Sequence, residues 1–374
     1  MKKVLFIVNH PIVIYNFRKE LVEKLLEENY KVFVSCPYGP KIEHLKSLGC
    51  VYVEAAIERH GMNVVNELKL FWYYRKIIKD IKPDVVLTYT IKPNIYGSLA
   101  SKSLKVPSIA NITGLGTALQ RKNLVSKILI GLYKLSLSNA KCVFFQNEEN
   151  QRFFIQNKIP MKKHQILPGS GVNLTQYALS EYPIDDKKIR FLFIGRVMRD
   201  KGIEELISAA KIIREKNKMV HFDIVGFYED DYKKRVDELS KLDIVQFHGS
   251  KEDIQEYIKN SNAVILPSYH EGMANVLLEA AAMGRPVIAS NIPGCIETFD
   301  EGISGLGFEP KNASDLKDVL NTFLDLSHSD KRAMGIAGRK KMEKQFDRSI
   351  VVKAYFEEID KIFNNSEENV YELV

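Results

Sequence analysis

Short, wholly apolar runs alternate with amphipathic stretches from the first residues of the chain. Val4-Leu5-Phe6-Ile7-Val8 is apolar at every position, and residues 16–28 carry Phe17, Leu21, Leu25 and Leu26 at helical spacing. Lys31–Cys36 reads as a second strand closed by Pro37, residues 70–81 as a helix and residues 83–89 as another strand. Val143-Phe144-Phe145 reads as the last strand of this first series. Strands without polar alternation are buried on both faces, so the pattern predicts a parallel sheet covered by helices. Residues 172–188, with Tyr182-Pro183 and Asp185-Asp186, lack a clear period and read as a linker. The alternation then restarts, with strands at 189–194, 221–225, 244–247, 263–266 and 287–289 and helices at 201–217 and 276–283.

The predicted fold class is therefore α/β: two doubly wound Rossmann-like domains facing each other across a cleft, with ligand at the carboxyl ends of the strands. The expected division is an N-terminal domain over 1–171, the linker 172–188, a second domain over 189–348, and a C-terminal helix with a polar tail over 349–374. That helix is expected to return to the N-terminal domain.

Composition narrows this picture. With 374 residues, 45% hydrophobic and 27% charged, the chain is an ordinary globular protein of two or three domains, not a stapled module or a disordered tract. Its four cysteines, Cys36, Cys50, Cys142 and Cys295, are widely spaced, which argues against a disulfide framework, a zinc ribbon or a redox pair and suits a reducing cytoplasm. No apolar run reaches the roughly 18 residues a membrane span needs. The net charge of +7 is unevenly placed: residues 1–180 carry +14 and residues 181–374 carry −7. A basic first half suits an anionic surface or ligand.

Two constellations carry chemistry. In Glu271-Gly272-Met273-Ala274-Asn275-Val276-Leu277-Leu278-Glu279, two carboxylates flank a helix start that follows the strand 263–266. Gly272 permits close backbone approach, and the free N–H groups of a first helical turn suit phosphate oxygens. In Gly195-Arg196-Val197-Met198-Arg199-Asp200-Lys201-Gly202, again between strand and helix, Arg196 offers a planar donor fork and Lys201 a point charge. Cations are unfavourable at a positive helix end, so their placement there suggests an anion between them.

At these residues the sequence resembles the retaining glycosyltransferases of family 4, which have the two-domain GT-B fold. The resemblance spans nearly the whole chain. It rests on Glu271 and Glu279, on Gly195-Arg196 with Lys201-Gly202, on Val225-Gly226, and on the stretch from Gly284 to Ser290. Asn111-Ile112-Thr113-Gly114-Leu115-Gly116, with Lys92-Pro93-Asn94 before it, is similar to the subgroup that builds bacterial capsule, exopolysaccharide and lipid-linked oligosaccharides.

The resemblance implies a nucleotide-sugar donor, UDP-linked to an N-acetylhexosamine, hexose or uronic acid, and a lipid-linked glycan acceptor. By the same resemblance, Arg196 and Lys201 bind the donor diphosphate, Glu271 the donor sugar and Glu279 the ribose. The backbone of Met273, Ala274 and Asn275 lies against sugar and phosphates, and Val225, Gly226 and Ser250 line the nucleoside pocket. The family's reaction is described as front-face displacement with no enzymatic nucleophile, so neither a cofactor nor a metal is expected. Asn9, His10, Lys92, Thr113 and Gly114 fall on the acceptor side. Where many members carry a histidine after the strand 83–89, this chain has Ile91 followed by Lys92.

Plainer readings stand beside these. His10 is equally a helix cap. Thr113-Gly114-Leu115-Gly116 lacks the full dinucleotide spacing. Residues 120–134 place Arg121, Lys122, Lys127 and Lys134 among apolar residues, which by itself is a packed helix with a basic side. Joined to the basic first half, it becomes a candidate contact with anionic lipid at the inner face of the cell membrane. The alternatives are a GT-B nucleotide-sugar 2-epimerase and a non-catalytic protein for an anionic polymer. Nucleic acid is not expected as a partner, because the carboxylates repel phosphate chains.

Overall fold

The computed structural model describes residues 1–55, 64–116, 119 and 123–371. The chain forms two compact units, one comprising Met1–Ser170 with Ser349–Val374 and the other Gly171–Arg348. The first is built on β1 (Lys3–Ile7), β2 (Lys31–Cys36), β3 (Val51–Glu54), β4 (Val85–Tyr89), β5 (Ser108–Ile112), β6 (Cys142–Phe145) and β7 (His164–Ile166). The second is built on β8 (Ile189–Ile194), β9 (Val220–Val225), β10 (Gln246–Phe247), β11 (Ala263–Leu266), β12 (Val287–Ser290) and β13 (Gly305–Phe308).

The first sheet has the order β3-β2-β1-β4-β5-β6-β7 and the second β10-β9-β8-β11-β12-β13. Every pairing within them is parallel. Each order reverses once, between β1 and β4 and between β8 and β11, which defines the switch point at which such sheets bind ligands. The central strands are apolar at nearly every position because helices cover both faces: β4, β11 and β12 are buried throughout.

Three expectations need correction. The helix over 16–28 is two helices, Pro11–Phe17 and Lys19–Glu27, broken at Arg18, whose φ of −138° leaves the helical region. The first series of strands does not end at Phe145, since His164–Ile166 adds an exposed edge strand. Residues 172–188 are not a free linker. Tyr177 is buried in the second core, the Tyr182 hydroxyl donates to Asn262 O at 2.9 Å, and the fully buried Arg285 guanidinium donates to carbonyls of Ser180 and Glu181. The helix Arg348–Tyr371 joins the first core through Tyr355, whose ring lies 4.6 Å from Phe144 and whose hydroxyl accepts from Asn111 Nδ2 at 2.6 Å. Among the described residues no helix is long and apolar enough to cross a membrane.

Candidate active site

The sharpest assembly lies at the switch point of the second sheet. The loop after β8 supplies Gly195 to Gly202 and the loop after β11 supplies Pro267 to Ala274, and the two are stitched together. Tyr269 N–H donates to Asp200 O at 2.9 Å. Gly202 sits at φ +70°, and a Cβ there would overlap the Pro267 carbonyl oxygen, so both conformation and space demand glycine. The close approach brings the Lys201 ammonium onto Glu271 Oε1, which also accepts from Ser268 Oγ at 2.7 Å. The lysine and glutamate side chains are only 19% and 13% exposed, so the pair is partly withdrawn from water. Ala274 N–H donates to Gly294 O at 2.8 Å and fixes the approach to the helix Asn275–Ala282.

The other residues expected on the donor side lie around these loops. Gly195 N–H donates to Val225 O and Gly226 N–H to Gly249 O, each at 3.0 Å, so the ends of β8, β9 and β10 meet there. A Cβ on Gly226 would overlap Gly195 O. Ser250 is exposed on the loop that follows Gly249. Arg196 does not join Lys201 on a shared carboxylate; it is 45% exposed and donates to Glu229 Oε2 at 2.9 Å.

Gly272 and Asn275 are half-buried, Met273 and Ala274 buried, and the Asn275 side-chain oxygen is buried without a hydrogen-bond partner. Glu279, on the same helix, is half-buried. Burial pushes its carboxyl up to about 7, against the pull of the Arg348 guanidinium and a Tyr177 hydrogen bond. Ser268, Glu229, Tyr177 and Arg348 were not singled out from the sequence. Ser268 lies three residues before Glu271 and was within reach of inspection, whereas the others come from distant segments.

In the first unit, Asn9 and His10 follow β1 and Lys92 follows β4, the two strands flanking its switch point. His10 Nδ1 accepts from Ile12 N–H at 3.2 Å and caps the helix Pro11–Phe17, which is the plainer of its two readings. Lys92 pairs with Glu67 at 2.7 Å, and Thr113 and Gly114 are half-buried just beyond β5. Of the basic stretch 120–134, Arg121 and Lys122 lie outside the described residues, while Lys127 and Lys134 are exposed on the helix Leu124–Leu137. All four cysteines are buried and free, and burial pushes the Cys36, Cys50 and Cys142 thiols up to about 12.

Residues 3–147 match the family model described as glycosyl transferase 4-like, and residues 178–341 match glycosyl transferases group 1. The chain belongs to this glycosyltransferase family, and it is an enzyme of that class. Among its relatives, the N,N'-diacetylbacillosaminyl-diphospho-undecaprenol alpha-1,3-N-acetylgalactosaminyltransferase of Campylobacter jejuni is 28% identical, covering 94% of this chain and 96% of that one. The UDP-Gal:alpha-D-GlcNAc-diphosphoundecaprenol alpha-1,3-galactosyltransferase of Escherichia coli is 29% identical over 73% of this chain and 74% of that one. A glycosyltransferase from Rickettsia africae superposes with a TM-score of 0.79 at 19% identity, covering 97% and 99% of the two chains. Anabaena HepE, solved with UDP and glucose, also gives 0.79, at 17% identity over 96% and 100%. The fold is GT-B.

Proposed function

We propose that this glycosyltransferase moves a sugar from a UDP-linked donor, with retention of configuration, to a glycan carried on a lipid diphosphate during bacterial surface polysaccharide synthesis. The carrying observation is the pairing of Lys201 with Glu271 at the switch point of the second sheet, a partly buried cation beside a carboxylate at two strand ends. In this reading the Lys201 ammonium and the positive end of the helix Asn275–Ala282 take up the charge of the departing diphosphate, where fixed dipoles stabilise a transition state most. Arg196 joins them once its exposed pair with Glu229 opens, a rearrangement costing about 0–1 kcal/mol. Glu271 and the unpartnered Asn275 oxygen receive sugar hydroxyls, and Glu279 receives those of the ribose.

The bond between the anomeric carbon and the bridging phosphate oxygen breaks, that oxygen leaves with the electron pair, and the acceptor oxygen bonds to the anomeric carbon on the same face. The acceptor's proton passes to the departing phosphate. Because the protein's own cations neutralise that charge, the reading assigns no metal and no cofactor to the reaction. Both relatives named above act, by their names, on diphospho-undecaprenol-linked sugars, which supports this acceptor class.

A membrane surface follows from the same acceptor. On the helix Leu124–Leu137 the serines Ser126 and Ser136 are buried while Leu124, Ile128 and Leu135 are 72%, 47% and 59% exposed, beside exposed Lys127 and Lys134. Val65, Leu68 and Trp72 are similarly exposed on the helix Val64–Ile81. The helix packs inward through Leu129, Tyr133 and Leu137, and the large apolar side chains it leaves exposed on its other side suit insertion at a lipid interface. The function is tested by supplying a panel of UDP-sugars with an undecaprenyl-diphosphate-linked sugar. One donor is expected to yield an acceptor-dependent α-linked product. Conversion of a UDP-sugar without acceptor would favour an epimerase.

A further inference from the structure

A cavity lies against the second sheet. Arg190 and Leu192 of β8, Asp223 of β9 and Gln246 of β10 line it, together with six residues between 181 and 188 and part of the helix Gln255–Lys259. It encloses about 710 Å³, within the roughly 300–1,000 Å³ range of small-ligand sites. It includes the start of β8 and Asn262 immediately before β11 and reaches His248 just after β10, yet it shares no residue with the donor assignment.

We propose that this cavity is a second glycan-binding site, taking a neutral oligosaccharide of two to three hexopyranose units. The lining carries four acidic and three basic side chains, a near balance that selects neither a phosphate nor a cation. Its polar groups are planar: the amides of Gln246 and Asn260 are exposed, and two tyrosine rings, Tyr182 and Tyr257, stand among them. Amides and carboxylates match paired sugar hydroxyls, and ring edges and faces match the apolar C–H patches of a pyranose. The frame is held in advance. His248 Nε2 and Asp223 Oδ1 lie 2.6 Å apart, the Tyr257 ring meets His248 edge to face at 4.9 Å, and Asn262 Oδ1 accepts from Arg190 N–H at 2.8 Å. Such preorganisation lowers the ordering cost of binding. The inference rests on membership of an enzyme class that handles glycans, not on the assignment of donor residues. A glycan held here raises the local concentration of acceptor around the enzyme.

The test is saturation-transfer NMR on the full chain in excess UDP, with neutral disaccharides of glucose, galactose and their N-acetylamino forms at millimolar concentration. At least one disaccharide is expected to receive transfer. Tyr257→Ala and, independently, the exposed Gln246→Ala are expected to cut it at least five-fold while the far-UV spectrum is kept. Lys201→Ala is expected to leave it unchanged, which separates this site from the donor site. No transfer to any disaccharide, transfer insensitive to both cavity variants, transfer lost in Lys201→Ala, or displacement by equimolar inorganic phosphate would each overturn the proposal.

Discussion

Glu279 is a position where a stability cost accompanies the binding role proposed above. Its carboxyl, ordinarily near 4.5, is pushed up to about 7 in the folded chain, chiefly by burial. The folded state therefore holds a proton that the unfolded state releases, so stability falls as pH rises between these values, and the full penalty is present above about 7. Glu279→Gln removes the charge and the penalty together. In thermal melts without ligand, the variant's gain in Tm over wild type is expected to be near zero at pH 4.5 and greatest at pH 8. The same variant is expected to raise the KM for a UDP-sugar at least ten-fold, about 1.4 kcal/mol, because an acceptor for the ribose hydroxyls is lost. A Tm difference that does not change with pH would contradict this account. At this scale the sequence was informative where a motif carries the residue: Glu271 and Lys201 each stand in a loop that follows an apolar strand, although 70 residues separate them. Ser268, the Glu229 partner of Arg196 and the Tyr177 and Arg348 neighbours of Glu279 belong to no such motif, and only the folded chain brings them in.

The elements were legible in proportion to their burial. The strands β1, β2, β4, β8 and β11 announce themselves as apolar runs because both faces are covered. β3 and β7 stand at sheet edges with exposed residues and carry no such run. β5 is fully buried yet reads Ser-Ile-Ala-Asn-Ile, since Asn111 is spent on the Tyr355 hydroxyl. Residues 172–188 look like a linker because their attachment is made by Arg285, Asn262 and a core contact rather than by any period of their own. The turn between β8 and its helix can be tested directly. Gly202 and Gly302 share φ +70°, but a Cβ at 302 meets nothing within 4 Å while one at 202 overlaps Pro267. Gly302→Ala is expected to cost about 1–2 kcal/mol of left-handed backbone strain. Gly202→Ala is expected to cost clearly more, about 3 kcal/mol or above, with loss of UDP binding. Equal losses in urea denaturation would show that the loop contact matters little.

Across the whole molecule, the charge division is a second layer of organisation over the duplicated architecture. The first 180 residues carry +14, and helices of the first unit expose leucines and a tryptophan beside lysines. Each basic side chain near an anionic surface contributes about 1 kcal/mol, and each inserted apolar side chain roughly 1.5–3 kcal/mol. The protein is expected to float with phosphatidylglycerol vesicles at low salt and to release at high salt, and Trp72→Ser with Leu124→Ser is expected to weaken binding at least ten-fold. Failure to float at low salt would refute the membrane reading while leaving the reaction untouched. In the proposed mechanism the reaction turns on one ammonium group, that of Lys201. Turnover of Lys201→Ala at saturating UDP-sugar, with its fold verified by circular dichroism, is the most direct measurement. A fall of at least about 100-fold in kcat, near 2.7 kcal/mol of lost stabilisation of the leaving diphosphate, is predicted. Turnover equal to wild type would contradict the account.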